Sequence, residues 1–112
     1  MAQTWLFDVD GVLFPHNAYL TDPAHDTVLP GIVEFFQTRI AADDMVIILT
    51  ARPPMYYAYT AAKLREAGLR YDVLLCGLPT GPRHLINDCK PDGTRTAFAY
   101  NILRNHGMTA PA

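Results

Sequence analysis

Cysteine, charge and long apolar runs are all scarce in this sequence. Its 112 residues include two cysteines, Cys76 and Cys89, too few and too far apart for the paired spacing of a zinc cluster. They read as reduced thiols near strand ends. Charged residues make up 18% of the chain and the net charge is only −2, while half of the residues are apolar. That balance excludes a disordered chain, which has little to bury and repels itself. No apolar run approaches the ~20 residues that span a bilayer. No basic segment precedes Asp8, so no secretory signal is expected and the chain reads as cytoplasmic, away from the membrane. The Lys and Arg residues are scattered rather than clustered, which counts against a nucleic-acid partner.

What is present suits one domain over residues 1–112, with the tail 108–112 expected to fray. A chain of this length buries roughly two-thirds of its unfolded surface. It has no room for a second domain. The charge is unevenly distributed. Residues 1–49 hold Asp8, Asp10, Asp22, Asp26, Glu34, Asp43 and Asp44 against Arg39 alone, and eight of the nine Lys and Arg residues follow.

Alternation of short apolar runs with helical periodicity predicts an α/β domain with a mainly parallel sheet. Residues 4–9 read as a buried strand ending in acid and glycine, and residues 11–30 as an irregular, proline-punctuated stretch. A helix is expected from Pro30–Gly31, with Ile32, Phe36 and Ile40 on one face. Residues 45–49 form a β-branched run typical of a buried strand. Pro53–Pro54 suits a helix start, Tyr57, Ala61 and Leu64 line its inner face, and Gly68–Leu69 suits its end. Residues 71–76 read as a third strand and His84–Asn87 as a fourth. Thr94 is placed to cap a last helix carrying Phe98, Ile102 and Leu103. Right-handed crossovers would then put helices on both faces of the sheet.

Chemistry gathers at the strand ends: Asp8-Val9-Asp10-Gly11 after the first, Thr50-Ala51-Arg52 after the second, Asn87-Asp88 after the fourth. In a parallel sheet these crowd one edge, where open α/β sheets bind ligands. Three carboxylates together call for a cation, and an all-oxygen donor set favours Mg²⁺. The Asp-x-Asp-Gly run is no EF-hand fragment, since its glycine is fourth rather than sixth and Tyr19 stands at position twelve.

Through these runs the sequence resembles the haloacid dehalogenase (HAD) superfamily of phosphohydrolases over roughly residues 4–106. Phe7-Asp8-Val9-Asp10-Gly11-Val12-Leu13 is similar to the first motif in its phosphatase form. Ile47-Ile48-Leu49-Thr50-Ala51-Arg52 resembles the second, and Leu85-Ile86-Asn87-Asp88 with Asp92 resembles the fourth. The third motif departs: the family's Lys or Arg upstream of the last strand is matched first by Arg83 and second by Lys90.

The resemblance implies a three-layer sandwich of about four strands, ordered 4-1-2-3. It also implies a Mg²⁺-dependent phosphomonoesterase with an aspartyl-phosphate intermediate. Asp8 would attack phosphorus, and Asp10 would serve as general acid and base. Thr50 would hold a phosphoryl oxygen, with Gly11, Ala51 and Arg52 beside the substrate. Arg83 or Lys90 would offset transition-state charge. Asp8, the Asp10 carbonyl and Asp88 would hold the metal, and Asn87 and Asp92 would orient those ligands. Too few residues separate the motifs for a cap domain. A capless site is open to solvent, and the resemblance implies either a large substrate that covers it or closure by a homo-oligomer; the leading substrate expectation is a small phosphorylated metabolite such as a sugar phosphate. A nucleic-acid 3′-end phosphatase and a catalytically weak binding or scaffold domain are the alternatives.

Overall fold

The computed structural model describes residues 1–108. Three strands, β1 (Thr4–Asp8), β2 (Met45–Leu49) and β3 (Val73–Leu75), form an all-parallel sheet in the order β1-β2-β3. Three α-helices accompany them: the single turn α1 (Ala18–Thr21), α2 (Ile32–Thr38) and α3 (Tyr57–Glu66). This is a small Rossmann-like α/β fold. Among the described residues, no helix is long and apolar enough to cross a membrane.

The core lies between one face of the sheet and both long helices. Phe7, Val46, Ile48 and Leu74, which share a strand parity, are buried against Ile32 and Phe36 of α2 and Ala61 and Leu64 of α3. Phe7 also meets Phe36 at 4.7 Å and Phe35 at 6.0 Å between ring centroids. A short 3₁₀ turn, Pro54–Tyr56, leads into α3 as the proline pair predicted. Gly68, at φ +77°, ends α3 as expected. The Leu69 N–H donates to Leu64 O and the Gly68 N–H to Arg65 O, while Leu69 and Leu64 are both buried.

Asp44 locks the entrance to β2. Its carboxylate accepts from the Gln3 N–H at 2.8 Å, the Trp5 indole at 2.9 Å and the Ala41 N–H at 2.9 Å. These donors, Gln3 foremost, hold its pKa below the ordinary carboxylate value. A depressed acid stabilises the fold above its unfolded pKa, and the gain is lost as pH falls through the folded value. Urea midpoints are therefore expected to drop between pH 6 and pH 3, with a shallower drop in Asp44→Asn. Equal slopes would contradict this linkage.

Two expectations are corrected. Residues 84–87 form no strand, and residues 94–103 form no helix. Local turn chemistry prevails there. The Gly93 N–H donates to Lys90 O at 2.8 Å and the Lys90 N–H to Thr94 O at 3.0 Å, with Gly93 at φ +91°. Thr94, expected as a helix cap, instead gives its own N–H to Asp92 Oδ1. Asn87 bonds the Thr96 hydroxyl, which in turn donates to Asp88 O, so residues 87–96 close on themselves. Short strands and helices depend on packing of an apolar face, and Leu85, Ile86, Phe98 and Leu103 stay exposed.

Among the described residues the fold consequently has two layers rather than three. Successive right-handed crossovers in one direction place α2 and α3 on the same side. The opposite parity is left open: Leu6 is 50% exposed, Leu75 48% and Met45 42%, with Ile47, Leu49 and Val73 half-buried around them. The outer edge of β1, where a fourth strand was expected, has no strand partner among the described residues.

Residues 105–108 are pinned at the other end. The Asn105 N–H donates to Gly11 O, Asn105 Oδ1 accepts from the His16 N–H, and the Met108 N–H donates to Pro30 O. Met108, expected in a frayed tail, packs against the core. The rest of that tail, 109–112, lies outside the described residues.

Candidate active site

β1 and β2 run parallel and deliver their last residues to one edge, with Asp8 in register with Leu49 just before Thr50. Asp8 Oδ1 accepts from the Val9 N–H at 2.9 Å and lies 3.1 Å from Nη1 of Arg83. Its other oxygen makes no hydrogen bond among the described residues, and the side chain is 40% exposed. Asp8 is thus a fixed carboxylate with one oxygen accessible and a guanidinium beside it. Of the two candidate cations, Arg83 reaches Asp8; Lys90 sits in the exposed turn at 90–94.

Past Asp8 the chain reverses. The N–H groups of Val12, Leu13 and Phe14 converge on Val9 O, and the Gly11 N–H donates to Phe14 O at 2.7 Å. Gly11 adopts φ +86°, and a Cβ there would press on the Arg104 side chain. Glycine serves the turn, and its carbonyl is taken by Asn105.

Asp10 is held by a buried arginine. Arg52 is fully buried and has five N–H groups, the complete guanidinium inventory. Nε and Nη2 each donate to Asp10 at 3.1 Å. Nη2 and Nη1 donate to Asp26 at 2.9 and 3.3 Å, and Nη1 donates to the Thr60 hydroxyl at 3.1 Å. The ring of Tyr19 lies 4.3 Å from the guanidinium carbon. Burial works against the charge on Arg52, but Asp10 and Asp26 more than offset it and raise its pKa. Every donor is spent, so Arg52 is not left to grip a substrate as its place in the second motif suggested.

Thr50 stands at the end of β2 as expected, but it is fully buried. Its hydroxyl oxygen accepts from the Arg52 N–H at 3.0 Å, and its backbone bonds Leu75 O and the Leu78 N–H. Thr50 therefore shapes the turn that presents Arg52, with Ala51 half-buried between them. Asn87, Asp88 and Asp92 lie in the exposed 87–96 turn, engaged with Thr94 and Thr96 rather than with Asp8.

That placement bears on the metal. A Mg²⁺ site needs several oxygen ligands converging on one point. No group of three His, Cys, Asp or Glu side chains among the described residues is arranged to hold a metal ion. The Asp10 side chain is committed to Arg52 and Asp88 belongs to the exposed 87–96 turn, so the three carboxylates are not gathered into one ligand set. Both cysteines are free thiols, as the sequence suggested.

Three partners in this cluster were not foreseen. Asp26 comes from the loop 11–30 and is fully buried. Tyr59 donates its hydroxyl to Asp26 Oδ2 at 3.0 Å, and Thr60 follows it on α3. Burial first, then that hydrogen bond and the charge of Asp26, push the Tyr59 phenol up to about 12. The one advance signal was charge balance: an arginine buried after a strand end needs carboxylates, and the N-terminal half has them in excess.

The fold and this edge define a Rossmann-like parallel α/β protein with paired acids at the carboxyl end of its first strand. Against known protein families, curated proteins and solved structures, the chain matches none.

Proposed function

We propose that the chain is a phosphomonoester hydrolase of the HAD type acting through Asp8. The observation that carries the reading is the Asp8–Arg83 pair: a strand-end carboxylate with one free oxygen and a guanidinium 3.1 Å from the other. A carboxylate approaching a phosphate dianion is repelled, and an adjacent arginine offsets both charges. In the first step Asp8 forms an O–P bond while the ester P–O bond breaks, and the leaving oxygen departs with the electron pair. In the second, water attacks phosphorus, Asp10 takes its proton, and inorganic phosphate leaves with Asp8 restored. Both Asp10 oxygens accept from Arg52, which fixes the direction of the carboxylate, and each oxygen keeps a second lone pair for the proton. In the first step Asp10 would act as the acid for alkoxide leaving groups. The resemblance in the first and second motifs supports the same reading, with a small phosphorylated metabolite such as a sugar phosphate as the proposed substrate. Mg²⁺ belongs to the proposal only as the ion to be added in the assay.

An aryl phosphate tests it, because a phenolate leaves without protonation. Turnover is expected for the parent chain, measured with and without Mg²⁺. No turnover under either condition ends the enzyme reading and leaves the scaffold alternative. A sugar-phosphate panel run beside 3′-phosphorylated oligonucleotides separates the two enzymes; better turnover of the oligonucleotides would overturn the metabolite substrate.

A second copy is proposed to cover the open sheet face. The exposed Leu6, Met45 and Leu75 share one parity of the sheet, and a standard interface buries about 800 Å² of each partner. Light scattering is expected to show a dimer for the parent and a monomer for Leu6→Lys. A parent that stays monomeric at high concentration defeats the proposal.

A further inference from the structure

Asp26 has no place in the reaction just described, yet it is tied to it through a single side chain. The guanidinium of Arg52 is planar, and its two usable edges face two carboxylates: the Nε/Nη2 edge holds Asp10 and the Nη1/Nη2 edge holds Asp26. Tyr19 lies over one face of the plane, and Phe14 is 5.6 Å away. Tyr59 in turn fixes Asp26 with its hydroxyl. We propose that Asp26 is a positioning residue for Asp10: it sets the plane and direction of the Arg52 guanidinium, which sets the direction of the Asp10 carboxylate. The inference rests on the phosphoryl-transfer reading above.

The energetics favour a directional role. A buried cluster of two acids and one arginine adds less net stability than apolar side chains of the same volume, because desolvation consumes most of the attraction. What such a cluster does provide is fixed geometry, since bidentate arginine–carboxylate contacts restrict both distance and plane. Without Asp26, Arg52 would keep only Asp10 and the Thr60 hydroxyl as acceptors. Two buried N–H groups would lose their acceptor, and the guanidinium would turn to find another. Asp10, bonded through both oxygens, would turn with it. A misplacement of about 1 Å in a reacting group can cost on the order of 10²-fold in rate.

The test is a double-mutant cycle on aryl phosphate turnover. Asp26→Asn is expected to lower kcat by roughly 10–100-fold, as for other residues that orient a reacting group from behind, with KM changed less than about 2-fold. In an Asp10→Asn background the same substitution should cost less than about 2-fold, because the group it positions is no longer there to be misplaced. Tyr59→Phe keeps the charge cluster and removes one hydrogen bond. It should give a smaller loss of kcat with the same dependence on Asp10, and it decides the question if Asp26→Asn does not fold. Equal costs with and without Asp10, or a loss expressed in KM alone, would overturn the proposal while leaving the hydrolase reading intact. A parent chain with no turnover removes the hydrolase reading, and this inference with it.

Discussion

Replacing Asp8 with asparagine is expected to reduce aryl phosphate hydrolysis by a factor on the order of 10⁴ or more, as loss of a catalytic nucleophile does elsewhere. An amide oxygen is too weak a nucleophile to form the O–P bond. The substitution leaves the fold nearly untouched for three reasons. Asparagine has the same shape. Its carbonyl oxygen can still accept from the Val9 N–H. The ion pair it loses joins side chains 40% and 36% exposed, and exposed pairs contribute only about 0–1 kcal/mol. Thermal midpoints of parent and variant should therefore agree within about 2–4 °C while activity differs by orders of magnitude. Rapid acid quench supplies a second readout: the parent should carry one phosphoryl group and the variant none. Retained turnover in Asp8→Asn, or a phosphoryl group elsewhere, would remove Asp8 from the nucleophile's role.

Much of the fold was legible because its elements are specified locally. The run Met45–Leu49 has no polar residue to place on a wet face, and it is β2 with the predicted boundaries. Ile32, Phe36 and Ile40 recur at helical spacing and are all buried. Gly68 and Leu69 carry the end of α3 in their types alone. The placement of Asp8 and Asp10 at the carboxyl end of β1 was legible too, because the apolar run of that strand stops at them.

The two failures have different causes. Leu85–Ile86 and Phe98–Ile102–Leu103 do carry strand-like and helix-like patterns, but a pattern states only which face could be buried. Pro91, Asp92 and Gly93 specify a tight turn without needing any partner, and the turn is what forms. Asp26, Tyr59 and Thr60 were missed because no spacing relates them. Asp26 and Arg52 are 26 residues apart, and only the packing of α1, its neighbouring loop and α3 around one guanidinium brings them together. The open face on the far side of the sheet follows from the same C-terminal segment, whose apolar residues stay in solvent instead of covering Leu6 and Leu75.

Arg52→Met is expected to be the most damaging single change to stability. Methionine fills a similar volume but leaves Asp10 and Asp26 facing each other without a cation, and both lie on the protein side of the site at 15% and 0% exposure. Removing one partner from a buried ionic cluster costs about 3–5 kcal/mol, against a total stability of about 5–15 kcal/mol for domains of this kind. The variant should unfold at a much lower urea concentration than the parent, or fail to fold. The cost comes from the two stranded carboxylates rather than from a lost attraction, so neutralising them should recover most of it. Arg52→Met combined with Asp10→Asn and Asp26→Asn is expected to approach the parent's urea midpoint, although each carboxylate substitution alone destabilises a chain that keeps Arg52. An Arg52→Met chain as stable as the parent would show that no guanidinium is needed between these two acids. A triple variant no better than the single one would place the cost in packing against Tyr19 and Phe14 instead of in charge.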